Sequence, residues 1–231
     1  MVEASALYAF DAYGTLFDVH SAVARMSSRI GAGGQQLSEM WRTKQLEYTW
    51  IHAATARRAT FWELTERSLD YAIATTGMAL DDATRAALLD AYRELDAYPE
   101  VVPVMRALRQ RGARLAVLSN GDRDLLERAI DSAGLDGMFE HVLSAGDAST
   151  FKPDPMVYRL AVEAFDAAPD AIWFCSSNRW DIAGASAFGM RPVWINRTGR
   201  PDEYPQMPPV LRLTSLEGLV TLAVDDGQGH D

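Results

Sequence analysis

The sequence predicts an α/β protein: a Rossmann-like parallel sheet with a block of helices inserted after its first strand. Three observations carry this. From Pro99 onward, short apolar runs that end in polar residues alternate with helical segments, and strands separated by helices pair in parallel through right-handed crossovers. Between residues 19 and 98 strand signals are scarce, and apolar residues recur at helical spacing. The first apolar run, residues 6–10, is too short for a helix and leads straight into Asp11, with a glycine turn beyond it.

Each element follows from local chemistry. Residues 6–10 form the first strand. In the insert, Trp41, Gln45, Tyr48 and His52 recur at helical spacing, Phe61, Leu64, Ser68 and Tyr71 do so again, and residues 84–95 form a further helix. The stretches 30–37, with three glycines, and 77–82 are turns. Beyond Pro99, a helix over 102–110 stops at Gly112, and residues 114–118 form a strand ending in Ser119-Asn120-Gly121. Asp122 is placed to cap the helix that runs to Ala133 and ends at Gly134. Residues 141–144 are a strand, and 154–167 a helix with Pro155 in its first turn. Residues 171–175 are a strand ending in Ser176-Ser177-Asn178, residues 180–188 a helix stopped by Gly189, and 191–195 the last strand. The expected division is an α/β core over 1–17 and 99–225, a helical cap over 18–98, and a polar, glycine-rich disordered tail over 226–231.

Composition narrows the function. With 231 residues, 48% of them hydrophobic, the chain suits one core plus a small inserted lobe. A net charge of −10 argues against nucleic acid and means that any anion site rests on local cations. Cys175 is the single cysteine, so no intrachain disulfide forms; it lies in an apolar run, where a buried structural thiol and a reducing cytoplasm are expected. Glu3 and Asp11 interrupt the N-terminal apolar stretch, so no secretory signal is expected. No run approaches the roughly 18 apolar residues that cross a bilayer. His20, His52, His141 and His230 lack metal-ligand spacing.

Open α/β sheets bind ligands beyond the carboxyl ends of their strands. Four loops converge there. They carry Asp11, Tyr13 and Thr15; Ser119 and Asn120; Lys152; and Ser176, Asn178, Trp180 and Asp181. A carboxylate at a strand end is a candidate nucleophile, and Asp181 is the only conventional base on its loop.

The segments Phe10-Asp11-Ala12-Tyr13-Gly14-Thr15-Leu16-Phe17-Asp18, Leu118-Ser119-Asn120-Gly121, Phe151-Lys152-Pro153 and Ser176-Ser177-Asn178-Arg179-Trp180-Asp181 resemble the motifs of the haloacid dehalogenase superfamily. Together with residues 41–50, which resemble that subfamily's cap helix, they are similar to the (S)-2-haloacid dehalogenases over residues 8–196. The resemblance implies a Rossmann-like core with an inserted helical cap, no cofactor, no metal and a homodimer. It implies a small 2-haloalkanoate and water as substrates, with (R)-2-hydroxyacid and halide as products.

The resemblance implies the following roles, residue by residue. Asp11 attacks C2 and forms an ester. Both reactants are anions, so Lys152 and Arg42 supply the intervening cations. Thr15 orients Asp11. Ser119 and the backbone amides of Ala12 and Tyr13 bind the substrate carboxylate, and Asn120 joins Arg42 at the halide. Tyr158 belongs to the lysine's network. Ser176, Asn178 and Asp181 position Lys152 and the water that opens the ester. Tyr13, Leu46, Phe61 and Trp180 wall the alkyl group. Arg179 and Thr43 depart from the resemblance, and Arg179 is expected to be solvated. The alternative reading is a magnesium-dependent phosphatase or phosphomutase. Against it, Tyr13 stands where those enzymes carry a second acid, and Asp181 is the only acid of the fourth motif.

Overall fold

The computed structural model describes residues 5–225, and the expected tail over 226–231 lies outside them. Strand β1 (Leu7–Phe10) runs between β2 (Arg114–Ser119) and β4 (Ile172–Ser176), with Phe10 level with Val117 and Cys175. β3 (His141–Ser144) flanks β2, and β5 (Arg191–Ile195) and β6 (Leu211–Leu213) extend the other side. All six strands are parallel, in the order β3-β2-β1-β4-β5-β6. The inner strands are buried almost throughout, as parallel strands covered on both faces must be. The chain winds outward from β1 through β2 and β3, then returns to start β4 on its other side. This reversal opens a crevice at the carboxyl ends of β1 and β4, and Asp11 lies in it.

The sheet extends beyond the expected last strand. β6 and the helix α10 (Glu217–Asp225) follow residues 196–210. Pro201, Pro205, Pro208 and Pro209 interrupt that segment, and the three residues of β6 alternate half-buried and exposed without an apolar run. Neither leaves a periodic signal.

Between β1 and β2 lie α1 (Ser21–Arg25), α2 (Ser27–Ile30), α3 (Gly34–Ala54), α4 (Phe61–Thr76) and α5 (Asp82–Tyr92). The glycine turn is shorter than expected. Only residues 31–33 form a tight 3₁₀ turn, and Leu37 is already a fully buried position of α3. α3 and α4 pack against each other through Trp41, Gln45 and Thr49 on one and Phe61, Leu64, Thr65 and Ser68 on the other. The Trp41 indole N–H donates to the Thr65 carbonyl at 2.9 Å. Two backbone hydrogen bonds pair the segment that enters this insert with the one that leaves it, antiparallel: Asp18 N–H donates to Asp96 O at 2.8 Å, and Tyr98 N–H to Leu16 O at 3.0 Å.

The helices α6 (Val101–Gln110), α7 (Arg123–Ser132), α8 (Pro155–Phe165) and α9 (Arg179–Phe188) cover the sheet. Asp122 does not cap α7 with its side chain. Its carboxylate instead accepts the N–H groups of Phe61 at 3.0 Å and Trp62 at 2.8 Å. The first turn of α4 abuts the loop after β2, and its partly buried orphan donors need an acceptor. Among the described residues, no helix is long and apolar enough to cross a membrane.

Candidate active site

The loops at the carboxyl ends of β1, β2 and β4, with the loop that precedes α8, bring one hydrogen-bonded network together. Asp11 is 5% exposed. Its Oδ2 accepts Thr15 Oγ1–H at 2.9 Å, Asn178 Nδ2–H at 2.8 Å and the Ser176 hydroxyl at 3.3 Å. Its Oδ1 faces Lys152 Nζ at 3.2 Å. The direction of the threonine bond is fixed, because Thr15 Oγ1 accepts Ser177 N–H at 2.8 Å and has its proton left for Asp11. One carboxylate oxygen is thereby anchored by three donors, and the other meets an ammonium.

Lys152 is fully buried. Its Nζ bridges Asp11 and Asp181 Oδ2, at 2.9 Å from the latter, and lies 4.7 Å from the centre of the Phe174 ring. A buried ammonium is tolerated because two carboxylates face it. Its own backbone N–H donates to Asn120 Oδ1 at 2.8 Å, which ties the lysine loop to the loop after β2.

Tyr158 O–H donates to Asp181 Oδ1 at 2.8 Å. Burial holds the Tyr158 phenol well above its usual range, so it stays a donor. Burial likewise pushes the Asp181 carboxyl up, to about 6; Lys152 opposes this and Asp11 adds to it. The Tyr158 phenol packs directly on Gly184 of α9, where a Cβ would collide with its oxygen.

Arg42 projects from α3 toward the nucleophile loop. Its Nη2 donates to Tyr13 O at 3.0 Å and its Nη1 to Gln45 Oε1 at 2.9 Å. Asn178 Nδ2 donates to the same Tyr13 carbonyl at 3.1 Å. The Tyr13 ring stacks on Phe61 at 5.1 Å and on Tyr92 at 5.7 Å between centroids. Leu46 and Trp180 lie with Arg42 and Asn178 on the lining of a cavity of about 430 Å³; Asp11 is not on that lining. The Trp180 ring stands edge-on to Trp50 at 5.5 Å. Ser119 is fully buried, and its hydroxyl oxygen accepts Gly121 N–H at 3.2 Å.

Arg179 is neither solvated nor bonded to Asp11 or Asp181. It is 5% exposed and donates from Nε to Asp202 at 2.6 Å. Cys175 is buried, and burial pushes its thiol up, so it is no nucleophile. Sequence reasoning missed the support of Arg42. Gln45 Nε2 donates to Thr65 Oγ1 at 2.6 Å and to Tyr92 Oη at 2.9 Å, which fixes the oxygen that receives Arg42. Gln45 was visible only as a helical-face position, although a glutamine on a buried helical face is itself a signal.

Fold and site define a class: a parallel α/β core with an aspartate at the end of its first strand, a lysine bridging it to a second acid, and a helical insert over the crevice. The chain belongs to the haloacid dehalogenase-like hydrolases, whose family model matches residues 6–189. It is similar to (S)-2-haloacid dehalogenase 1 of Pseudomonas sp. (strain CBS-3), 42% identical over 92% of this chain and 94% of that protein. It is also similar to the (S)-2-haloacid dehalogenase of Pseudomonas sp. (strain YL), 43% identical over 93% of this chain and 92% of that one. Among solved structures it matches L-2-haloacid dehalogenase from Xanthobacter autotrophicus with chloropropionic acid covalently bound. The TM-score is 0.86 and the identity 30%, over 98% of this chain and all of that chain.

Proposed function

We propose that this chain hydrolyses (S)-2-haloacids to (R)-2-hydroxyacids and halide through an ester on Asp11. The observation that carries this reading is the Asp11 carboxylate itself. Three donors hold Oδ2, and Oδ1 meets the Lys152 ammonium. A carboxylate so held is a preoriented nucleophile.

In the first step, an Asp11 oxygen attacks C2, a C–O bond forms, and the carbon–halogen bond breaks with its electron pair leaving on the halide. Arg42 and the Asn120 amide receive the halide, while Ser119 with the amides of Ala12 and Tyr13 holds the substrate carboxylate. Tyr13, Leu46, Phe61 and Trp180 enclose the alkyl group. In the second step, water adds to the Asp11 carboxyl carbon, its proton passing to Asp181; the adduct then collapses, the bond between that carbon and the product oxygen breaks, and Asp181 returns the proton to the departing hydroxyl. Lys152, Ser176 and Asn178 face the developing oxyanion, and Thr15 keeps the carboxyl oriented. Tyr158 holds Asp181. The C2–O bond formed first survives, so the net result is inversion.

Halide leaves without a proton, which suits a site with Tyr13 where a second acid would protonate an alcohol. Ser176, Ser177 and Asn178 stand on the loop where metal-binding acids would be needed, which supports a cofactor-free reaction. The same reading takes the chain as cytoplasmic and as a homodimer, on its lone buried cysteine and the family resemblance respectively.

Chloride release from (S)-2-chloropropionate in the presence of EDTA, measured beside the (R) enantiomer, tests the substrate. Release from the (S) form alone is expected. In a single turnover in ¹⁸O-water the label is expected in Asp11, and label in the first product overturns the ester. Hydrolysis of a generic phosphate ester that EDTA abolishes, without chloride release, favours the phosphatase reading.

A further inference from the structure

We propose that Arg197 is a positioning residue for the nucleophile: it ties down the backbone of the loop after β1 and so fixes the direction in which Asp11 points. The catalytic consequence rests on the function proposed above.

Arg197 stands two residues beyond β5, mostly buried, with its guanidinium below the nucleophile loop. Nη2 donates to Thr15 O at 2.9 Å. Nη1 donates to Ser177 Oγ at 2.7 Å and, at 3.4 Å, to Gly14 O. Glu100 Oε1 accepts from Nε at 3.0 Å and from Nη2 at 2.7 Å, and the guanidinium carbon lies 3.9 Å from the centre of the Tyr98 ring. One planar group therefore joins the nucleophile loop, the loop after β4 and the chain segment that returns from the helical insert.

The two loops it joins are the two that aim Asp11. Thr15 is held at its carbonyl by Arg197, while its hydroxyl accepts Ser177 N–H and donates to Asp11. Ser177 is held at its hydroxyl by the same guanidinium. Gly14 sits at φ +89°, a conformation that leaves the loop with freedom a side chain would remove. Backbone bonds inside the loop, Gly14 N–H to Phe17 O at 2.7 Å and Leu16 N–H to Ala12 O at 2.8 Å, shape the turn, and Arg197 adds a tie from outside at the Gly14 and Thr15 carbonyls. Arg197 shares the cavity lining with Arg42 and Trp180 but makes no hydrogen bond to Asp11, so it acts on the carboxylate through Thr15 and Ser177. A lysine reaches one of these oxygens as a point charge but cannot reproduce the fork.

The test compares Arg197→Met and Arg197→Lys with wild type in chloride release from (S)-2-chloropropionate and in amide hydrogen exchange over residues 12–18. Arg197→Met is expected to lower kcat about 100-fold, the scale of a misplaced reactive group, with KM within about threefold. Arg197→Lys is expected to recover about tenfold of that. Exchange over 12–18 is expected to quicken in Arg197→Met beyond the rest of the chain. Adding Thr15→Val to Arg197→Met is expected to cost less than the product of the two single losses, because both act on one carboxylate. Arg25→Gln removes another ion pair beside the insert's connection, Arg25–Asp96 at 2.6 Å, and is expected to leave kcat unchanged. An unchanged kcat in Arg197→Met, unchanged exchange over 12–18, or full multiplicative losses overturns the assignment. Wild type that releases no halide from any 2-haloacid overturns the proposed function instead, and exchange over 12–18 then decides the role of Arg197 alone.

Discussion

Asp122, on the loop after β2, holds the backbone N–H of Phe61 at 3.0 Å. The pair spans the boundary between the sheet and the helical insert. Trp62 N–H adds a second bond to the same carboxylate at 2.8 Å. A negative group at a helix N-terminus is favoured by the dipole and by the orphan donors there. Phe61 is also the ring that stacks on Tyr13. Asp122 therefore sets how the apolar wall closes against the loop that carries Ser119 and Asn120. Asp122→Ala is expected to destabilise the fold by about 1–3 kcal/mol, the range for stranding partly buried donors, and to raise KM more than it lowers kcat. Thermal unfolding and steady-state kinetics check both.

Most of the sheet was legible because its strands announce themselves. The runs at 6–10, 115–118 and 171–175 are apolar throughout and end in polar residues, and chemistry in such folds sits at those ends. Asp11, Ser119, Asn120 and Ser176 were found this way, and Lys152 from its place in a connecting loop between Phe151 and Pro153. Tyr158 and Arg42 were not, since a tyrosine on a helix reads as core and an arginine on a helix as surface until the fold places them; the motif resemblance supplied them. Asp122 was misassigned because sequence shows the nearest helix, α7, and not α4, which folding brings to it. Arg197 and Gln45 escaped because their partners lie far away in sequence.

Lys152 is the centre of charge in the site. Its Nζ lies 3.2 Å from Asp11 and 2.9 Å from Asp181, all three side chains being buried. Lys152→Met removes the cation and leaves two carboxylates facing each other out of water. Breaking a buried pair in this way costs about 3–5 kcal/mol, and chloride release is expected to become undetectable. Lys152→Arg is expected to rescue neither property, because a guanidinium does not fit a slot sized for one ammonium between Asp11 and Asp181. Urea unfolding and chloride release measure the two effects separately.

Gly121 faces the Tyr13 ring. A Cβ at this position would lie 2.6 Å from Tyr13 Cε2, well inside contact distance, so Gly121→Ala must displace the ring. Tyr13 is trapped between Phe61 and Tyr92 on its stacked faces, which leaves it little room to move other than along the pocket wall. The expected result is an altered preference for substrate chain length, read as a changed ratio of kcat/KM between 2-chloropropionate and 2-chlorobutyrate. An unchanged ratio would show that the Tyr13 ring does not border the alkyl group.

Asp181 predicts the shape of the acid limb. Burial raises its carboxyl to about 6, against the opposing charge of Lys152. Its proton-accepting form therefore dominates above that pH and is lost as the pH falls through it. If Asp181 takes the proton from the attacking water, opening of the ester slows below pH 6, whereas attack by Asp11 on the halide-bearing carbon needs no proton transfer. The kcat profile is then expected to fall on the acid side with an apparent midpoint no higher than about 6, since the ester removes the Asp11 charge that helps raise Asp181. The Asp11 ester is expected to accumulate at pH 5, visible as a substrate-derived mass increase on the intact chain. Asp181→Asn is expected to accumulate the same ester at neutral pH and to abolish the limb. A limb that persists in Asp181→Asn assigns the proton transfer to another group and leaves Asp181 as the residue that holds Lys152.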